Sequence, residues 1–245
     1  MQILAVSTKL FHEGDNLLSF LIAFLPQLQE KDIVVVTSKI IALSESRTRE
    51  NPTLEIKKHI ARTESEESVE TPWCTLTRKG NDWSANAGID ESNAQGKLIL
   101  LPKNPKQTTI ELQQQLKNHY RIKELGIIMC DTRLVPLRTG TLGIALAWSG
   151  IEPLTDYRGT KDLYGRELKM TQANIVHALA TSAVLCMGEG AEQKPLALIQ
   201  QAPVVFSKTS GEITDLSVLP EHDLYGYVYA KHPTEPPKPQ VPATF

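Results

Sequence analysis

Cysteine is scarce: Cys74, Cys130 and Cys186 lie far apart in the 245 residues, are odd in number and form no CxxC pair. That pattern excludes a disulfide framework and a thiolate zinc site, and leaves reduced thiols. Long apolar runs are missing too. The best, Leu17 to Leu25, is less than half of the roughly 20 residues that a bilayer crossing needs, and Pro26 follows it. The opening MQILAVSTKLFHEGD has no basic leader and no apolar core of a signal peptide, so the expected location is cytoplasmic. Nor is there an excess of one charge. A net charge of −2 offers no broad positive field for nucleic acid, so any phosphate site must be local. Neither GxxxxGK[ST] nor GxGxxG occurs, and the six histidines show no HxH or HExxH spacing. No Ser–His–Asp triad can be argued. What is present, 41% hydrophobic and 22% charged residues, is ordinary for a soluble enzyme with one large α/β unit or two domains sharing a core.

Periodicity predicts a strand over 1–6, an amphipathic helix over 16–28 and a buried strand over 32–37, an opening of β, α, β. The charged stretch 45–70 reads as a surface helix plus a mobile loop. A hairpin is expected over 73–78 and 83–87 around Gly80-Asn81-Asp82, followed by a polar loop, NAGIDESN, over 86–93. Further expectations are a strand over 97–101, a helix over 108–120 capped by Thr108 or Thr109, and a strand over 125–130 that ends at Asp131. The glycine-bearing segment 140–150 reads as a loop, 172–187 as a helix started by Thr171, and 195–200 as a strand. The region 1–230 is read as the catalytic part, and 231–245, rich in proline, as an extended tail.

Two acidic loops sit just beyond strand-like segments, where ligands gather in α/β proteins. Asp90 with Asn93 is the first, and Asp131 with Thr132 is the second. Hard cations such as Mg²⁺ or Mn²⁺ take carboxylate and hydroxyl oxygens, so Asp90, Asp131, Thr132 and Glu189 form a candidate set for one or two ions. An aspartate at a strand end more often caps a turn, and Glu189 alone would be a solvated residue. Lys39, Arg133, Arg138, Arg158 and Arg166 are the cations beside these loops, free to neutralise a phosphate or simply to face solvent. His177 fits a packing role within an apolar helix, and Trp73, Trp83 and Trp148 either stack on a ring or fill core. Composition and pattern stop at a metal- and phosphate-using enzyme.

The stretches VVVTSKIIALSESR, NAGIDESN, GIIMCDTRLVPLRTGTLGIALAWSGIEPLTDYRGTKDLYGRELKMT and AVLCMGEGAEQKPLALI, in this order over about Ile33 to Gln200, resemble the coenzyme F420-0:L-glutamate γ-ligase family. The resemblance implies a fold that is neither P-loop nor Rossmann, α+β (mixed α/β) in two interleaved domains, in an intertwined homodimer. It also implies transfer of the terminal phosphate of GTP or ATP to an acceptor carboxylate, then attack by the amine of L-glutamate. In this likeness Asp90 and Asp131 hold a first Mg²⁺ or Mn²⁺, and Thr132 and Glu189 a second, with K⁺ as an additional candidate. Ser38, Lys39, Asn93, Met187, Gly188 and Gly190 are the implied nucleotide contacts, and Asp90, Asp131 and Arg138 the implied catalytic set. No nucleic acid or membrane partner is implied.

Two segments depart from the family pattern. SKIIALSESR carries Leu43 where SKxxSKAEGR has its second lysine, and DTRLVPLR replaces DTFGRPWR while keeping Arg138. The second departure is similar to a subgroup linked to folate metabolism, so the acceptor is either F420-0 or a folate. A folate polyglutamylating ligase and a nucleotide- or flavin-binding relative without turnover are the alternatives.

Overall fold

The structure, a computed structural model, describes residues 1–50 and 53–226, so the tail expected over 231–245 lies outside the described residues. In chain order the elements are β1 (Gln2–Val6), α1 (Leu17–Phe24), β2 (Asp32–Thr37), α2 (Ser38–Ser44), β3 (Thr48–Arg49), α3 (Leu54–Thr63) and β4 (Glu67–Glu70). Then come β5 (Thr75–Lys79), β6 (Asp82–Ala85), β7 (Leu98–Ile99), α4 (Pro105–Tyr120), β8 (Leu125–Leu134), β9 (Thr141–Ile151), β10 (Leu154–Asp156) and β11 (Gln172–Asn174). The chain closes with α5 (Ile175–Met187), β12 (Leu196–Gln200) and β13 (Phe206–Glu212). The class is mixed α/β, and no helix among the described residues is long and apolar enough to cross a membrane.

A six-stranded sheet in the order β1-β12-β2-β8-β9-β13 forms the centre. Only β2 and β8 pair in parallel; the other neighbours are antiparallel. Period-2 alternation on the two central strands sorts their side chains between two cores. Val34, Val36, Ile127 and Met129 meet α1 and α4, while Ile33, Val35, Ile128 and Cys130 meet α5. Both faces of these strands are therefore apolar, which is why they read as continuous hydrophobic runs. A three-stranded sheet, β4-β5-β6, lies apart, and α3 supplies Ala61 to a smaller cluster with Ile89, Leu98 and Leu100.

Several boundaries differ from the sequence expectation for identifiable reasons. The first helix stops at Phe24, because Leu25 precedes Pro26 and is held extended at φ −67°, ψ 141°. The fourth begins at Pro105 rather than Thr108, since proline suits the first helical position, and the Thr109 hydroxyl instead donates to Lys106 O. The fifth begins at Ile175, capped by Asn174, whose side chain accepts from His177 N at 3.1 Å. Within 45–70 the expected mobile loop includes β4, paired to β5.

The largest difference is β9, a long buried strand where a loop was expected. Its glycines serve close packing. A Cβ on Gly143 would lie 2.7 Å from the Val184 side chain and 2.8 Å from Ala180 O, so glycine lets α5 cross the strand in contact with its backbone. The Thr181 hydroxyl donates to Gly143 O at 2.6 Å and fixes the crossing. Opposite, Met129 pairs with Ala147 and Cys130 with Ala145, leaving Leu146 as the extra residue of a β-bulge. Leu146 and Ala147 consequently share the α4 core, and the strand pair emerges re-aimed at Asp131.

Gly143→Ala is expected to destabilise the fold by about 2 kcal/mol through overpacking, lowering Tm by roughly 4–8 °C. An unchanged melting curve would show that α5 can withdraw from the strand without cost.

Candidate active site

One end of the sheet gathers the groups singled out in the sequence. Strand β1 runs antiparallel to β12, and β12 antiparallel to β2, so β1, β2 and β8 all point the same way. The ends of β1 and β2 open there beside the loop that joins α5 to β12, together with Asp131 and Thr132. These two lie within β8 rather than in a loop beyond a strand that ends at Asp131, because the strand stays paired with β9 as far as Leu134. A cavity of about 340 Å³ lies there. Ser38, Lys39, Asp90, Asn93, Asp131 and Thr132 line it, as do Met187, Gly188, Glu189 and Gly190. Thr8, Lys9 and Leu10 close one side, and Gln193 Nε2 donates to Thr8 O at 2.7 Å, tying that loop to the α5–β12 loop.

Lys39 organises the acids. Its ammonium lies 2.7 Å from the Asp90 carboxylate and donates to Ser92 O at 2.8 Å and Ser92 Oγ at 3.1 Å. Ser92 N donates to Asp90 Oδ1 at 2.6 Å, and Asp90 exchanges two backbone hydrogen bonds with Ile99, both at 2.9 Å. The connecting loop carries positive φ at Asn86, Ala87, Gly88, Asn93, Gln95 and Gly96, a concentration typical of functional segments. Hydrogen bonds hold this backbone in place: Asn86 Oδ1 accepts from Thr75 N, and Thr77 Oγ1 from Ala87 N. From its far side Asn93 Nδ2 reaches Gly190 O at 3.0 Å, closing the cavity across the sheet end.

The three carboxyls have different environments. Burial works to raise Asp90, yet Lys39 and Ser92 outweigh it and hold the group below the usual carboxylate range. Asp131 is partly buried, and burial pushes it up to about 6, with Asp90 adding repulsion against the pull of Arg133, Lys39 and Thr132 N–H. Glu189 is raised chiefly by desolvation, against the opposing pull of the Thr132 hydroxyl and of Lys39. Burial pushes the Cys130 thiol up strongly, so it is no nucleophile at neutral pH.

Among the described residues no three Asp, Glu, His or Cys side chains gather into a preformed metal cluster. The donor set nevertheless suits a hard cation. It is oxygen-only, and two of its acids are held at raised proton affinity beside a third, a charge arrangement that a divalent ion would relieve.

A family model described as F420-0:Gamma-glutamyl ligase matches residues 5–201, the family that the four motifs resemble. The chain belongs to this family. It is 33% identical over 216 residues to "Coenzyme F420:L-glutamate ligase" of Methanococcus maripaludis strain C7, covering 81% of this chain and 86% of the relative. The protein of the same name from Methanosarcina mazei is 34% identical over 211 residues, 78% and 82% of the two chains. That of Archaeoglobus fulgidus is 32% identical over 222 residues, 83% and 88%.

Not every residue singled out in the sequence of this ligase-family member reaches the cavity. Arg138 does not line it; it is exposed beyond the Val135–Leu137 turn of the β8–β9 hairpin, and its guanidinium donates to Leu137 O. Arg158 pairs with Asp156 on β10, and Arg133 with Asp82 at 3.0 Å. Trp148 is core, whereas Trp73 and Trp83 are exposed on the small sheet. Leu43, where the family pattern has lysine, lines the cavity and packs against the α1–α4 core. Ser92 and Gln193 were missed, because a serine or glutamine in a polar loop carries no sequence signal of its own.

The folded protein binds the Asp131 proton more tightly than the unfolded chain does. Ionising it therefore costs stability as pH rises from 3.8 through about 6. In chelator-treated protein Asp131→Asn should raise Tm at pH 7 and flatten the melting profile across that window, with a ceiling of about 3 kcal/mol. A lower Tm for the variant at pH 7 would mean that the carboxylate is stabilised by neighbours instead.

Proposed function

We propose that this chain is a cytoplasmic nucleoside-triphosphate-dependent ligase that joins L-glutamate to the carboxylate of coenzyme F420-0. The observation that carries the reading is the convergence of Lys39, Asp90, Asn93, Asp131, Thr132 and Glu189 on one cavity at the sheet end. In this reading an acceptor carboxylate oxygen attacks the terminal phosphorus, the bond to the bridging oxygen breaks, and the nucleoside diphosphate leaves. The glutamate amine attacks the resulting acyl phosphate; the C–N bond forms, the C–O bond to phosphate breaks, and a proton is released. Such chemistry asks for positioning and charge neutralisation rather than a protein nucleophile.

Asp90, Asp131, Thr132 and Glu189 would hold Mg²⁺ or Mn²⁺, which supplies charge neutralisation on the triphosphate. Lys39 provides a cation that can turn from Asp90 to a phosphate. Ser38, Asn93 and the Met187–Gly190 segment border the remaining space and are suited to nucleotide contacts. Leu137, Leu163 and Tyr164 are 96%, 99% and 95% exposed, and a homodimer would cover them. Arg138, next to Leu137, would then act toward the partner subunit. The DTRLVPLR segment favours a folate acceptor as the second reading.

Incubation with labelled glutamate, Mn²⁺, GTP or ATP, and F420-0 or a tetrahydrofolate should give one acceptor heavier by a glutamyl residue. Asp131→Asn should lower that rate at least 100-fold, in line with loss of a transition-state charge contact. Nucleotide binding without phosphate release would favour the non-catalytic relative, and glutamate addition by the Asp131→Asn protein at the wild-type rate would refute the site assignment.

A further inference from the structure

A second cavity, of about 780 Å³, lies between the small sheet and the N-terminus of α4. Of the residues singled out in the sequence for phosphate or metal, only Arg133 lines it. Its walls carry five cations, Arg47, Lys79, Lys103, Lys106 and Arg133, against three carboxylates, Glu64, Asp82 and Glu212. Arg47 is paired with Glu64 at 2.8 Å and Arg133 with Asp82 at 3.0 Å, while Lys106 reaches Asp215 at 3.0 Å. Glu212 is engaged by a backbone N–H in a capping box. Lys79 and Lys103 are exposed, and among the described residues their ammonium groups meet no hydrogen-bond or ion-pair partner.

The helix end adds to this field. The 16-residue α4 opens on the cavity through Asn104, Pro105, Lys106 and Gln107, with no side-chain cap. The amides of Lys106 and Gln107 make no hydrogen bond among the described residues, so uncapped N–H donors and the positive end of the helix dipole face the same space. Ile110, Leu146 and Ile213 form an apolar floor. A cavity with an apolar floor, two exposed ammonium groups and a helix N-terminus suits a ring-bearing molecule with an anionic tail.

The position is adjacent to the first cavity. Leu101 lines both, Ala87 lines the second and Gly88 the first. A Cβ on Gly88 would lie 2.8 Å from Leu101, so the Leu101 side chain packs directly on the Gly88 backbone where the two cavities adjoin. Arg133 lines the second cavity while its charge acts on Asp131 in the first.

We infer that this second cavity binds the ligase's acceptor, a heteroaromatic molecule with an anionic tail. Lys79, Lys103 and the α4 N-terminus hold a non-reacting phosphate or carboxylate of the tail, and the reacting carboxylate is directed past Leu101 toward the first cavity. The acceptor's identity rests on the ligase reading; the existence of an anion-binding cavity does not. The test is equilibrium binding of F420-0, of a tetrahydrofolate and of inorganic phosphate to full-length protein, by calorimetry without metal or nucleotide. Wild type should bind one of the two organic acceptors, more weakly as salt rises. Lys79→Ala/Lys103→Ala should weaken that acceptor roughly tenfold, and reduce the salt dependence, while nucleotide affinity stays within about twofold. Ile110→Trp, which fills the floor, should weaken the acceptor with Tm retained. Phosphate binding alone, wild-type acceptor affinity in the lysine variant, parallel loss of nucleotide and acceptor, or no binding of either acceptor would each overturn the assignment. The ligase reading fails separately, when wild type binds an acceptor but adds no glutamate to it.

Discussion

The contact between Lys39 and Asp90 holds the candidate active site together. Asp90 arrives on a loop from the small sheet, and Lys39 from the first turn after β2, so a single ion pair locks a peripheral segment onto the end of the central sheet. It is a partly exposed pair, and its contribution to global stability is small. Its local effect is larger. With Asp90 neutralised, Asp131 and Glu189 can stand nearby at the cost of raised proton affinity rather than outright repulsion.

Topology supplies the platform. Because β1, β2 and β8 share a direction, the ends of β1 and β2 and the Asp131–Thr132 stretch within β8 meet at one end of the sheet, and the antiparallel β12 brings the α5–β12 loop to the same place. The bulge opposite Met129 and Cys130 turns the β8–β9 pair just before Asp131, and Gly143 lets α5 press against β9. Packing with this little slack determines where Thr132 and Glu189 meet. Bulges and glycines of this kind concentrate where a strand must re-aim a functional side chain.

Much of this was legible in the sequence. The β2 and β8 strands announce themselves as apolar runs because both faces are buried, and Asp131 is visible where the apolar run of β8 stops, although the strand itself continues to Leu134. The hairpin around Gly80 follows from turn chemistry, and Gly80 has φ +58°. Strand β9 was not legible, since its glycines serve close contact with α5 and with neighbouring backbone while local rules assign glycine to loops. Arg138 was grouped with the site by its place in the chain near Asp131 and by the motif; the hairpin carries it away from the cavity within one subunit.

By itself the sequence determined the chemistry available: oxygen donors without thiolate or histidine clusters, a lysine after a buried strand, no P-loop, and motifs that resemble one ligase family. Those are local properties, carried by residue types and short spacings. Only the tertiary structure decided which groups share a space, that Asp90 is neutralised while Asp131 is not, and that a second, cation-lined cavity lies beyond Leu101. The reason is that charge interactions and desolvation depend on distance in space and on burial, and strand pairing between residues far apart in the chain sets both.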